Sequence, residues 1–174
     1  MKQAPCETLA STHTKRLRAL DAKNWAIRRR AFEELFRAGT QSVPTLIVGA
    51  DHASPRVRAA CISLMDHLAD ERCCGPLARA LHDASALVRR HAVHAIGCQA
   101  CKAHPLPIDV VGALIDRAMA DPSVRVRRVA VHQLGLQPRD PRILAALTRT
   151  LADSKDAGII RRARQALAQQ ARLG

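Results

Sequence analysis

Four stretches of this chain, NWAIRRRAFEELFRAG, SPRVRAACISLMDHLA, SALVRRHAVHAIGCQA and PSVRVRRVAVHQLGLQ, align on the apolar anchors Ile27, Val57, Val88 and Val126 without an internal gap. A degenerate fifth copy, AGIIRRARQALAQQAR, is anchored on Ile159. The anchors lie 30, 31, 38 and 33 residues apart, and self-similarity at such a period marks a stack of small repeated units. Within each copy the apolar residues fall at the anchor, four on and eight on: Ile27/Ala31/Leu35, Val57/Cys61/Met65, Val88/Ala92/Ile96, Val126/Ala130/Leu134 and Ile159/Ala163/Leu167. Those offsets share one face of an α-helix. The middle residue is always Ala or Cys, small enough to let a neighbouring helix come close.

Between the copies run second amphipathic segments, SVPTLIVGA, CCGPLARALHD, PIDVVGALIDRAMAD and DPRILAALTRTLAD, with Pro44, Pro76, Pro107 and Pro141 near their starts. Proline is tolerated there because the first turn of a helix has no partner for its N–H groups. Each unit is thus a helical hairpin, and no stretch alternates with period two long enough to read as a strand. One hairpin cannot bury its apolar face alone, so the expected fold is all-α: a right-handed α-solenoid of about five hairpins and about ten helices. Aromatics are 2% of the chain and Tyr is absent, so its core must be aliphatic, which suits helices packed on helices. The repeat domain is expected over residues 14–171, with residues 1–13 as a flexible N-terminal segment.

The pattern resembles the HEAT-repeat family, in particular the short bacterial HEAT-like repeats that also occur in phycobilin lyase subunits. The likeness rests on D-x-S-x-x-V-R, seen as Asp83-Ala-Ser85-Ala-Leu-Val88-Arg89 and again as Asp121-Pro-Ser123-Val-Arg-Val126-Arg127. It implies that the helix after each Asp-containing turn lines the concave side. It also implies a structural ladder in which a turn Asp meets an Arg six residues later, as in Asp83/Arg89 and Asp121/Arg127, with Arg28 and Arg58 one residue further from Asp21 and Asp51. In the last copy the Arg position holds Ile160.

Charge is the other strong signal. Against 15 acidic residues stand 28 Lys and Arg, a formal net charge of +13, which attracts polyanions and acidic proteins. Arg29, Arg90, Arg128 and Arg161 stand two positions past their anchors, Arg56 and Arg125 one before, and His94 and His132 six past. All eight point away from the apolar line in helical projection. They form a candidate partner-binding stripe, interrupted by Glu33 and Asp66. An acidic protein segment is the partner expected first, since the planar guanidinium pairs with carboxylate through two hydrogen bonds. Sequence-independent binding of DNA or RNA through the same stripe is the alternative, and a chromophore-lyase-like subunit a third that rests on the resemblance alone.

Gly-rich phosphate loops, a Ser-His-Asp arrangement and paired carboxylates do not stand out, so the chain is expected to be a non-catalytic scaffold without cofactors. HEAT-like DNA glycosylases need aromatic rings to hold DNA, whereas Trp25, Phe32 and Phe36 sit in the first copy, the two Phe in its core. Cys73, Cys98, Cys101 and His104 are the metal candidates. A single CxxC without a matched second pair is weak, however, and ordinary reduced thiols are favoured over a structural metal or a redox pair. No apolar run reaches the length of a membrane span, and the first residues lack the apolar centre of a secretory signal, so the expectation is a cytoplasmic protein.

Overall fold

The computed structural model describes residues 9–68, 70–98 and 106–173. Among these are five helical hairpins and no strand: α1 (Leu9–Asp21) with α2 (Trp25–Arg37), α3 (Val43–Ala50) with α4 (Pro55–Met65), α5 (Cys74–Ala80) with α6 (Ala86–Gly97), α7 (Val110–Ala120) with α8 (Val124–Leu136), and α9 (Pro141–Asp153) with α10 (Ala157–Ala171). The even-numbered helices form one layer and the odd-numbered helices the other. Neighbours are packed much more closely in the even layer from α4 onward, which makes it the inner, shorter-radius side of the stack.

Side-chain size explains that closeness. Cys61, Ala92, Ala130 and Ala163 are completely buried, flanked by buried Val57, Val88, Val126 and Ile159. Gly135 faces the backbone of Ala166 so closely that an added Cβ would lie 2.8 Å from the Ala166 Cα. Gly97 faces Gln133 in the same way, its added Cβ 2.7 Å from the Gln133 Cβ. These contacts trade side-chain bulk for helix approach, and each buried Leu, Ile or Val adds roughly 1.5–3 kcal/mol of burial energy.

Polar groups close the helix ends. Asn24, Asp109, Asp140 and Asp156 accept from first-turn N–H groups of α2, α7, α9 and α10, filling sites a helix cannot satisfy itself. At the opposite ends, Gln137 donates to the Gly97 carbonyl (2.8 Å) and Gln170 to the Gln137 carbonyl (2.8 Å). Buried glutamine amides thereby tie the C-termini of α6, α8 and α10 together.

The first and last copies depart from the expected core line. Ile27 is 49% exposed and Phe36 50%, because α2 has only α4 on one side and stands off from it. Phe36 instead meets the His67 ring edge-on, centroids 5.7 Å apart. In α10 the buried residues are Ile159, Ala163, Ala166 and Gln170, so Ala166, under Gly135, takes the core place expected of Leu167, which is half-buried. The helix α1 begins at Leu9, with Leu17 and Leu20 buried and His13 hydrogen-bonded to Thr45 at 2.7 Å.

Candidate functional site: the arginine face of the second helices

Arginine one position past the anchor does the same thing in four repeats. Arg28, Arg58, Arg89 and Arg127 each donate from Nη1 to the two carbonyls six and five residues back: 22 and 23, 52 and 53, 83 and 84, 121 and 122. The expected pairing within one repeat is thus corrected: Arg89 and Arg127 reach the backbone carbonyls of Asp83 and Asp121 and not their carboxylates, and Arg28 and Arg58 reach the two residues after Asp21 and Asp51. The carboxylate is held from the preceding repeat. Arg58 grips Asp83 through two hydrogen bonds (2.7 and 2.8 Å), and Arg89 grips Asp121 likewise (2.8 and 2.9 Å).

Asp83 and Asp121 also accept the N–H of Ser85 and Ser123, which fixes the turn that starts the next inner helix. In the second repeat His52 fills that place, its Nδ1 accepting from Ser54 N–H at 3.0 Å; Arg28 accordingly has only the carbonyl half of the pattern. In the last turn the order is Ser154-Lys-Asp156 in place of Asp121-Pro-Ser123. The carboxylate has moved two residues on, to the N-cap, and Arg128 rather than Arg127 reaches it (3.0 and 2.8 Å). Gly158 leaves room, since a Cβ there would lie 2.6 Å from Arg128 Nε.

Arg128 therefore leaves the partner-binding stripe and joins the ladder. At the same position in the second copy, Ala59 is buried. Arg29 is also engaged, with Glu33 at 2.8 Å and the Trp25 ring at 5.6 Å. Asp66, expected to interrupt the stripe, is buried at the end of α4. Arg56, Arg90, Arg125 and Arg161 remain, one on each of α4, α6, α8 and α10, and no carboxylate among the described residues pairs with them. Arg162 lies near His132, and burial first, then the charges of Arg162 and His94, push the His132 imidazole below its ordinary range. The shift favours the neutral imidazole.

Opposed forces act on the buried ladder acid. Burial pushes the Asp121 carboxyl up, while the hydrogen bonds from Arg89 and Ser123 and the charges of Arg89 and Arg117 hold it, on balance, below the usual carboxylate range. Hydrogen bonding from Arg58 first, opposed by burial, does the same for Asp83. Asp156 is brought down to about 2, chiefly by Arg128.

Of the metal candidates, Cys101 and His104 lie outside the described residues. Cys73 is buried in the turn before α5, and burial raises its thiol to about 11. Cys98 ends α6, where its Sγ groups with a His94 ring nitrogen and an Asp66 carboxylate oxygen, all within 4.8 Å of one another. Spacing along the chain offers no reason to join Asp66 to that set.

Stacked helical hairpins tied turn to turn by arginine–aspartate pairs define an all-α repeat solenoid. The HEAT-repeat model matches residues 14–97 and 75–168, and the chain belongs to the HEAT-repeat family. It is similar to a subunit of the complex of CpcE and CpcF of phycocyanin lyase from Nostoc, with 20% identity and a TM-score of 0.75, covering 91% of this chain and 99% of that one. A designed armadillo repeat protein in complex with the peptide (KR)4 superposes with a TM-score of 0.56 at 16% identity, covering 92% of this chain and 82% of the design. No curated protein matches the sequence. Among the described residues no helix is long and apolar enough to cross a membrane.

Proposed function

We propose that this chain is a non-catalytic repeat scaffold whose inner helices hold an acidic segment of a partner protein. The observation that carries the reading is how its arginines divide. Arg28, Arg58, Arg89, Arg127 and Arg128 are spent on turn carbonyls and carboxylates, while Arg56, Arg90, Arg125 and Arg161 recur on successive inner helices with no carboxylate of the described residues. An unneutralised row of this kind suits carboxylates spaced along an extended chain. The designed armadillo protein takes a basic peptide; the face described here has the opposite charge preference.

The test is fluorescence polarisation of a labelled acidic peptide and, in parallel, of a 20-base-pair DNA duplex, with an Arg90→Glu/Arg161→Glu variant that leaves the ladder intact. Peptide binding lost in the variant supports the proposal. Preferential duplex binding, with an affinity falling at a log–log slope near about −3.6 for four phosphate contacts, would replace it with nucleic-acid binding.

A second reading rests on the full-length likeness to the lyase subunit. In it the chain would be one half of a heteromer, docked through exposed Trp25, Ile27 and Phe36 at its first repeat. Co-purification with a second repeat subunit, lost on Trp25→Asp, would favour it.

A further inference from the structure

We propose that Asp66, His94 and Cys98 form a binding site for a zinc-class divalent metal ion that joins the C-terminal end of α4 to that of α6. Carboxylate oxygen, imidazole nitrogen and thiolate sulfur are the donor types zinc takes. Their ligand atoms already lie within 4.8 Å of one another, with His94 Nε2 3.5 Å from Asp66 Oδ2. A tetrahedral centre with ordinary zinc bond lengths sets its ligand atoms about 3.3–3.6 Å apart, so small side-chain shifts close the set and leave a fourth corner for water.

Local structure supplies the geometry. His94 lies in the last turn of α6 and Cys98 is its C-cap, the Cys98 N–H bonded to the His94 carbonyl at 2.9 Å, which brings both side chains beside Asp66 at the end of α4. Asp66 and Cys98 cap the carbonyl ends of their helices, where the helix dipoles favour a cation. Asp66 is also out of pattern. It stands nine past its anchor, where the next two copies have Gly97 and Gly135 in the tight helix–helix seam.

Gln133 adds an independent sign. Its amide nitrogen lies 3.0 Å from His94 Nδ1, orienting the ring so that Nε2 faces Asp66. Its other amide atom, Oε1, is buried with no partner among the described residues. The amide can turn over without breaking another hydrogen bond, and its oxygen then accepts from Nδ1–H. A metal-ligating histidine calls for that outer hydrogen bond, which leaves the Nε2 lone pair for the metal. Cys98 binds as thiolate and gives its proton to solvent, so binding weakens as pH falls.

The experiment is a cobalt(II) titration of the full, reduced, metal-stripped chain, followed by zinc competition. Expected are a thiolate-to-cobalt charge-transfer absorption that saturates at one equivalent, its displacement by zinc, and its loss in Cys98→Ser. His94→Gln should weaken binding at least tenfold. Gln133→Leu should weaken it about 10- to 100-fold while leaving the absorption band in place. Far-ultraviolet circular dichroism checks that each variant is folded. Absence of the band in the parent chain, or its survival in folded Cys98→Ser, would overturn the proposal.

Discussion

Arg89→Ala is the sharpest test of the inter-repeat ladder. The Asp121 side chain has no solvent exposure and that of Arg89 only 9%. The pair is bidentate at 2.8 and 2.9 Å, and the same guanidinium holds the carbonyls of Asp83 and Ala84 at 2.8 and 3.0 Å. Removing one member of a buried pair costs roughly 3–5 kcal/mol because the other charge stays buried. The two carbonyl bonds add about 1 kcal/mol each in net terms. Against this, Arg117 Nη1 stands 3.7 Å from Asp121 and can move in, so the expected loss is about 3–5 kcal/mol. Urea denaturation followed by far-ultraviolet circular dichroism measures it; Trp25 is too exposed to report on the core. The order of loss should be Arg89→Ala, then Arg58→Ala, then Arg128→Ala, following the increasing exposure of the three pairs. A loss below about 1 kcal/mol for Arg89→Ala, or a larger one for Arg128→Ala, would mean that the stack does not depend on its buried ladder. Arg89→Met with Asp121→Leu should recover the buried-charge part of the loss, since an apolar pair needs no counter-charge, but not the bonds to the Asp83 and Ala84 carbonyls or to the Ser123 N–H.

The ladder acids also set the acid limit. Asp83, Asp121 and Asp156 are held below their ordinary value of 3.8 in the folded chain, so their contribution is complete above about pH 4 and disappears as pH falls through the folded values, near 2 for Asp156; a pH titration by circular dichroism should place acid unfolding in that window. Gly135→Ala, whose new Cβ would strike the Ala166 backbone, should lower stability by about 1–3 kcal/mol in urea denaturation. Gly75→Ala, with only Arg79 Nη1 near at 3.6 Å, should be neutral or slightly stabilising. Burial raises the Cys61 thiol to about 12 and the Cys73 thiol to about 11, so both should resist a thiol reagent in the native chain and react once it is unfolded, as peptide mapping would record.

The helical period made the stack legible because a buried face repeats every turn. Val57, Val88, Val126 and Ile159, with the small residues four positions on, are buried where the spacing puts them. That logic fails where a neighbour is missing. Nothing in Ile27 or Phe36 tells a reader that α2 stands off from α4, since burial belongs to the stack and not to the residue. The ladder was half legible for a related reason. Spacing along one chain suggests the local partner, whereas a carboxylate in the next repeat lies 25 residues away from Arg58 and 32 from Arg89.

Comparing one position across copies separates the role of a side chain from its composition. Arg127 and Arg128 are adjacent and chemically identical, yet a two-residue move of one carboxylate, from the Asp121 place to the Asp156 place, decides which of them crosses to the next repeat. By the same comparison Arg56, Arg90, Arg125 and Arg161 reach none of the turn carboxylates of the described residues, and Asp66 stands where the next two copies have Gly97 and Gly135. One departure is positive charge that no carboxylate of the described residues meets, and the other is an acidic side chain in a seam that glycine fills in the next two copies. The two proposals rest on these two departures. Each has its own readout, an acidic ligand at the first and a thiolate-bound metal at the second, and the failure of either leaves the other standing.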